Sequence, residues 1–175
     1  MKKTVLTYGL IAGFIVCVWI NVAIVVGMDH GTMSMVFGFA AMIAAFSFIF
    51  VAVKNYRDRN NGGIISFGKA FMIGLYISLI ASTIYVITWL IDYHFFVPDF
   101  MDDYARHTLD AMKEAGKPAT EIAETAKEME QYKEYYKNPF MIALMTYTEI
   151  LPVGLIISLL AAAILKRKPA EVATT

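Results

Sequence analysis

The stretch that decides the fold is the last apolar segment of the chain, Asn138 to Lys168, which reads NPFMIALMTYTEILPVGLIISLLAAAILKRK. Its 26 residues from Phe140 to Leu165 are enough to cross a bilayer as a helix. The basic residues that follow, Lys166 to Lys168, are typical of the end of a span. The segment therefore predicts a membrane-spanning helix, and three further segments follow the same pattern.

Two residues inside this span are unusual. Glu149 lies about 13 Å from its start at the helical rise, where a carboxylate costs roughly 3 kcal/mol or more. We therefore expect Glu149 to face the interior of a bundle and to have a partner there. Pro152 removes one backbone donor, so it predicts a kink near the carbonyl of Thr148.

The composition excludes a soluble domain. Of 175 residues, 58% are hydrophobic and only 17% are charged, and the apolar residues fall in long blocks. The single cysteine, Cys17, lies inside the first block, so no intramolecular disulfide can form and no zinc site is indicated.

Four segments are predicted to span the membrane, at about residues 5–27, 33–53, 70–97 and 140–165. The fold class that follows is all-α, an integral membrane four-helix bundle, with residues 1–175 forming one membrane domain. The first apolar run is too long for a cleaved secretory signal and has no cleavage site after it, so we interpret it as a retained span.

The segment between the third and fourth spans differs in composition. Residues 98–138 carry ten acidic and six basic side chains and contain no long apolar run. Apolar residues recur there at helical spacing on both sides of Gly116-Lys117-Pro118. The pattern predicts a helical hairpin inserted between the two spans.

The basic residues near the span ends predict the orientation. Lys2 and Lys3, the loop from Lys54 to Lys69, and Lys166 to Lys168 all fall on one side of four alternating spans. The positive-inside rule makes this side cytoplasmic. Both termini are then cytoplasmic, the hairpin is extracytoplasmic, and the expected location is a bacterial inner membrane.

Small residues four apart predict where the spans pack, because helices in lipid associate by close approach. The stripes include Gly9 and Gly13 on the first span, Ala40 and Ala44 on the second, Gly74 and Ser78 on the third, and Gly154 and Ser158 on the fourth.

The strongest candidate for chemistry is an intramembrane polar cluster. Its predicted members are Glu149, Asn21, Tyr147, Asp92 and His94. One interpretation makes Glu149 a proton or cation site that the others tune. The other makes the cluster a hydrogen-bonded packing contact with Asn21 as the partner of Glu149, and it is favoured because no second charge lies as deep.

The loop MDHGTMSM offers a second candidate. Thioether and imidazole groups of Met28, His30, Met33 and Met35 are soft ligands suited to copper or silver. A short loop with one histidine, flanked by methionines that helix ends tolerate, is more often only a connection.

No arrangement of residues indicates an enzyme. The sequence contains no nucleophile with a matching base, and Gly63 to Ala70 resembles a phosphate-binding loop but lacks the required hydroxyl at Ala70. We expect no cofactor and no nucleic-acid partner. The expected partners are the lipid bilayer and either a second copy of the chain or another membrane protein.

Three segments together resemble a known family: KNYRDRNNGGIISFGKAF, YHFFVPDFMDDY and EILPVGLIISLLAAAILKRK. They are similar to a bacterial family of small four-span membrane proteins, the domain of unknown function 4199. The resemblance covers nearly the whole chain but not the MDHGTMSM loop. It implies a four-span inner-membrane protein with Glu149, Pro152 and Gly154 in a family-like motif, and it implies no activity or ligand.

The sequence leaves three interpretations of function. The leading one is a non-enzymatic membrane protein whose exterior hairpin mediates assembly or partner contact. The second is a small ion or proton transporter, or a component of one, that uses Glu149. The third is copper or silver handling by the Met-His loop.

Overall fold

The computed structural model describes residues 1–27 and 32–167, and every regular element within these ranges is helical. The six α-helices, in chain order, are α1 (Lys2–Val26), α2 (Thr32–Asn55), α3 (Phe67–Phe95), α4 (Phe100–Glu114), α5 (Ala119–Tyr136) and α6 (Pro139–Leu165). The helices α1, α2, α3 and α6 are long and apolar enough to cross a membrane. The predicted all-α membrane bundle is therefore confirmed.

The four long helices form a ring in which neighbours follow the order α1, α3, α6, α2. Helices α1 and α3 run in parallel, since the same offset of 71 residues relates Cys17 to Thr88 and Gly9 to Ile80. The N-terminus, the α2–α3 loop and the end of α6 meet at one end of the bundle, which we call the terminal end. Helices α4 and α5 form the hairpin at the opposite end, the hairpin end.

The outer surface of the long helices is apolar. Phe14 on α1 is 69% exposed and Ile164 on α6 is 67% exposed. Such side chains suit contact with lipid tails, which solvate apolar groups as readily as a protein core does.

The helical segment that begins with α2 extends beyond its predicted end at Val53. A π-helical turn, Tyr56–Asn60, continues it. Polar contacts hold this turn in place: Asn55 donates to the hydroxyl of Tyr8, and Arg57 donates to the carbonyl of Leu165 at 3.3 Å. The sequence predicted a loop for these residues because they are polar. In the structure their polar side chains bind partners on other helices.

The terminal end is closed by backbone contacts between distant segments. Ile65 and Arg167 exchange two hydrogen bonds of 3.0 Å and 2.9 Å, which tie the α2–α3 loop to the residues after α6. The Lys69 ammonium donates to Asn61 at 2.9 Å, and Ser66 caps α3 by accepting from the Lys69 amide. Lys168 lies outside the described residues.

Small residues bring α3 and α6 together. Gly74 faces Ser158 and Gly154 faces Ser78, so each glycine leaves room for the serine of the other helix. The two serine hydroxyls are 3.2 Å apart, and each also donates to the carbonyl of the glycine one turn earlier on its own helix. Gly9 and Gly13 make the same kind of space for Ile80 and Ile84 on α3.

The helices end within about three residues of the predicted span limits, and local hydrogen bonds account for two of these ends. Helix α3 ends at Phe95 rather than at residue 97, because the amides of Phe96 and Val97 both turn back to the carbonyl of Asp92. Helix α6 begins at Pro139, where the Asn138 side chain accepts from an amide of the first turn at 2.9 Å. It continues through Pro152, and the kink predicted there stays a prediction.

The hairpin stands on an aromatic base at the end of α3. The ring of Trp89 meets Phe100 edge to face at 4.8 Å between centroids, and Tyr93 meets Tyr136 in the same way at 5.2 Å. Gly116 turns the chain between the two helices with a φ of +66°, which glycine adopts without strain. The contacts fix the hairpin against the bundle.

Packing is tight in the half of the bundle near the termini and open in the other half. The buried core contains seven alanines with no exposed surface, on all four long helices: Ala12, Ala45, Ala52, Ala70, Ala81, Ala161 and Ala162. Val16 is the last buried residue of α1, and Met42 is the first buried residue that the structure describes on α2. On α1 and on α2, the ten residues nearest the hairpin, roughly 15 Å at the helical rise, therefore leave space between themselves and the neighbouring helices.

Candidate binding cavity at the hairpin end

A cavity of about 790 Å³ occupies this open half. All four long helices line it, and both hairpin helices contribute to its walls. The cavity follows from the packing. Glycine contacts hold α3 close to α1 and α6 in the terminal half, while the side chains that the structure describes on α1 and α2 include no buried residue in the hairpin half.

Glu149 is one of the residues that line this cavity. It is ten residues from Pro139, about 15 Å along α6, and its side chain is exposed. Within the described ranges no ion pair or hydrogen bond joins its carboxylate to another side chain. Its electrostatic neighbours are the hydroxyls of Tyr85 and Tyr136. Glu149 therefore presents a carboxylate to whatever fills the cavity.

Tyr136 connects the hairpin to the cavity wall. Its hydroxyl accepts a hydrogen bond from the indole of Trp89, and its ring packs against Tyr93 and Phe100. Burial raises the pKa of Tyr136 to about 12; the bond from Trp89 opposes this shift, and the charge of Glu149 adds to it. Tyr136 is therefore a neutral hydroxyl at any physiological pH.

The hairpin supplies the polar groups at the outer part of the cavity. Asp103, Tyr104 and His107 on α4 line it, together with Tyr132 on α5. Asp103 is ion-paired with Arg106 one turn later. The negative charge of Asp103 in the outer wall is thus partly balanced by Arg106, whereas the charge of Glu149 has no ion-pair partner among the described residues.

The structure does not assemble the predicted polar cluster around Glu149. Asn21 donates to the backbone carbonyl of Cys17 at 3.0 Å, and Tyr147 shares a 2.7 Å hydrogen bond with Thr83. The exposed ring of His94 packs edge to face on its neighbour Phe95. None of Asn21, Tyr147 and His94 lines the cavity.

Asp92 occupies a different environment. It is 3% exposed, and one of its carboxylate oxygens has no hydrogen-bond partner among the described residues. The parallel packing of α1 and α3 pairs Cys17 with Thr88, an offset of 71 residues. One helical turn further along both helices, the same offset brings Asn21 level with Asp92. The register thus places Asn21 beside Asp92 rather than beside Glu149.

Two residues of the Met-His loop, Met28 and His30, lie outside the described residues. Met33 is exposed, and Met35 lines the cavity. Over residues 1–27 and 32–167, no group of three His, Cys, Asp or Glu side chains is placed to hold a metal ion.

Sequence reasoning singled out Glu149 but not its surroundings. Tyr85, Trp89 and Tyr136 form the wall beside it, and Trp19 completes the set from α1. The spacing of Tyr85, Trp89 and Tyr93, four residues apart, was the available signal, since it puts three aromatic rings on one face of α3.

Comparison with known proteins agrees with the architecture. The chain matches no curated protein and no solved structure. The family described as Protein of unknown function (DUF4199) matches residues 7–167, which include every described helix except the first turns of α1. The resemblance found in the sequence is confirmed: the chain belongs to the DUF4199 family.

Proposed function

We propose that this chain is a non-enzymatic, multi-pass membrane protein that binds a small ligand in the hairpin-end cavity. The observation that carries the proposal is the exposed side chain of Glu149 in the lining of a cavity of about 790 Å³. Cavities of roughly 300–1,000 Å³, mostly apolar with a few polar groups, are typical of ligand sites. An unpaired intramembrane carboxylate is costly unless it has a use.

The hairpin acts in this proposal as a wall of the binding site. Asp103, Tyr104 and His107 turn toward the cavity, and the aromatic base holds α4 and α5 over it. Outside the cavity lining, the hairpin carries exposed ion pairs such as Asp110 with Lys113. Such pairs suit a solvated surface, so assembly or partner contact through the hairpin ranks second.

Location and orientation are part of the proposal. We place the protein in a bacterial inner membrane with both termini in the cytoplasm. The support is the clustering of basic residues at the terminal end, where Arg57, Lys69 and Arg167 lie close to the Ile65 bridge, against the acidic hairpin at the other end.

Transport through the bundle receives less support than binding. The cavity reaches Glu149 from the hairpin half, but the terminal half is filled by fully buried residues such as Phe46, Ile49 and Ile73. A transporter using Glu149 would have to open this half. The arrangement favours a ligand that enters and leaves at the hairpin end.

Cysteine accessibility tests the proposal. Met145 lines the cavity, whereas its neighbour Leu144 is 47% exposed on the outer surface of the same helix. In a Cys17→Ser background, Met145→Cys should react with a water-soluble thiosulfonate in proteoliposomes, because thiolates form in water. Leu144→Cys should react far more slowly, because it faces lipid at nearly the same depth.

The outcome separates a hydrated cavity from a closed one. Equal protection of Met145→Cys and Leu144→Cys would contradict the proposed site. Labelling of both variants after solubilisation in detergent and unfolding serves as the control that each thiol is intact.

A further inference from the structure

The ionisable groups around the cavity are unbalanced in charge. The described lining contains the carboxylates of Glu149 and Asp103 and the imidazole of His107, but no Lys or Arg side chain. Asp103 already has Arg106 as an ion-pair partner. A molecule that occupies the cavity would therefore have to balance the negative charge of Glu149. A molecule with one positive charge balances it, whereas an anion is repelled.

The walls near Glu149 are aromatic. Tyr85 and Tyr136 lie close enough to interact with its charge, and Trp19 and Trp89 line the same cavity. The faces of tryptophan and tyrosine rings attract cations, and they also solvate apolar groups. The combination of one carboxylate and several rings matches a cation that carries apolar substituents.

The size of the cavity excludes a bare ion as the matching occupant. A volume of about 790 Å³ is in the range that organic ligands fill. A metal ion would need several ligands converging on one point, and the described part of the chain brings no three such side chains together.

Building on the proposed binding function, we infer that the cavity takes a monovalent organic cation with apolar or aromatic groups. The positive charge lies at Glu149, and the apolar groups contact the rings of Trp19, Trp89 and Tyr85. The hairpin covers the bound molecule from the outside.

Two ions of the same shape and opposite charge test the inference. Tetraphenylphosphonium and tetraphenylborate each surround one charged atom with four phenyl rings. The chain has two tryptophans, Trp19 and Trp89, and both line the cavity, so tryptophan emission of the purified protein in detergent reports on the cavity. The change in tryptophan emission should reach a plateau as the concentration of the phosphonium ion rises. The borate ion should produce only the change without a plateau that its partitioning into micelles causes.

Matched variants identify the site. Glu149→Gln should weaken phosphonium binding by about tenfold or more, while Glu128→Gln on the exposed face of α5 should leave it unchanged.

An added Cβ at Gly38, which lines the cavity, meets no atom within 4 Å. Gly38→Leu should therefore narrow the cavity and weaken phosphonium binding without displacing other groups. Gly68 has equally open surroundings at the terminal end, so Gly68→Leu is the control.

The results distinguish failure of the inference from failure of the binding function. Saturable binding of both ions with equal affinity, or an unchanged affinity in Glu149→Gln, would overturn the cation preference and leave the cavity as a ligand site. Absence of binding by either ion, with Met145→Cys still labelled, would overturn the inference alone. Absence of binding together with protection of Met145→Cys would overturn both. Melting temperatures of the variants confirm that each is folded.

Discussion

At the scale of single residues, the contact between α3 and α6 depends on two glycines. A Cβ at Gly154 would lie 2.6 Å from the hydroxyl oxygen of Ser78 and 2.7 Å from its Cβ, and Gly74 has the same relation to Ser158. These distances are too short for non-bonded atoms, and the obstructing Cβ is fixed to the backbone. The two helices can approach this closely only because both positions lack a side chain.

We predict that Gly154→Ala destabilises the protein by roughly 1–3 kcal/mol, because the added methyl group overpacks a fixed contact. Thermal unfolding in detergent measures the effect as a lower melting temperature. Adding Ser78→Gly to Gly154→Ala removes the obstructing Cβ and hydroxyl and should restore part of the loss.

Gly38→Ala provides the control for this prediction, since a Cβ there has open space around it. It should not lower stability, and replacing a glycine inside a helix can add roughly 0.5–1 kcal/mol. A Gly154→Ala protein that melts at the wild-type temperature would contradict the close contact.

The small residues of this contact could be predicted from the sequence, because glycine and serine four apart are rare enough in an apolar helix to stand out. On α2 the predicted small residues do not form an internal contact. Ala40 and Ala44 are exposed there, which leaves the alternative of a contact with a second copy as a prediction, and the buried stripe includes Ala45, Phe46 and Ile49. Helix α2 is apolar on every side, and lipid accepts apolar side chains as readily as the core does, so hydrophobicity cannot indicate which face packs.

At the scale of elements, aromatic rings join the hairpin to the bundle, and an ion pair joins the two hairpin helices to each other. The ion pair between Lys133 and Asp102, at 2.8 Å, holds α5 to α4, while Trp89, Phe100 and Tyr136 hold the pair to α3. The existence of the hairpin was predictable from its change in composition. Its role as a cavity wall was not, because that role depends on contacts between residues distant in sequence.

We predict that this attachment weakens at alkaline pH. The folded protein raises the pKa of Tyr136 from the ordinary 10.0 to about 12, so the folded state favours the neutral phenol. The stabilisation is complete below pH 10 and is lost as the pH rises from 10 through about 12. The wild-type melting temperature should therefore fall more steeply between about pH 10 and about pH 12 than that of Tyr136→Phe.

The comparison with Tyr136→Phe isolates one phenol, because the other nine of the ten tyrosines are present in both proteins. Parallel alkaline profiles for wild type and variant would contradict the buried, neutral state of Tyr136. Absorbance of the phenolate, taken as wild type minus variant, measures the same titration directly.

At the scale of the whole molecule, four spans place the termini and the hairpin at opposite ends. The direct test of the side of the membrane is cysteine labelling, and the structure decides which positions suit it. Gly62 and Gly116 mark the two loops but have φ values of +61° and +66°, where a cysteine would be strained. The exposed neighbours Asn60 and Ala115 avoid this cost.

We predict that, in intact cells and a Cys17→Ser background, a membrane-impermeant maleimide labels Ala115→Cys and not Asn60→Cys. The reason is the excess of basic residues at the terminal end, which favours retention of that end in the cytoplasm. Both variants should be labelled once the membrane is permeabilised. Labelling of Asn60→Cys alone in intact cells would reverse the proposed orientation.

The architecture at this scale was predictable because a membrane restricts a chain to long apolar helices. The cavity was not predictable, since it arises where α1 and α2 fail to close against their neighbours beyond Val16 and before Met42. A sequence indicates which residues are apolar, but the absence of a contact is a property of the assembled bundle. Glu149 stood out by its charge alone, and only the cavity explains how that charge is accommodated.

The uneven packing of the two halves also has a mechanical consequence. Part of the cavity lies between the spans, over roughly 15 Å of depth, and the rest lies beneath the hairpin. The part between the spans enlarges the cross-section of the protein in one leaflet only. Any closure of the cavity would therefore withdraw area from a single leaflet. Lateral tension in that leaflet, or a change in its lipid packing, would then act on the protein in the same direction as occupancy of the cavity.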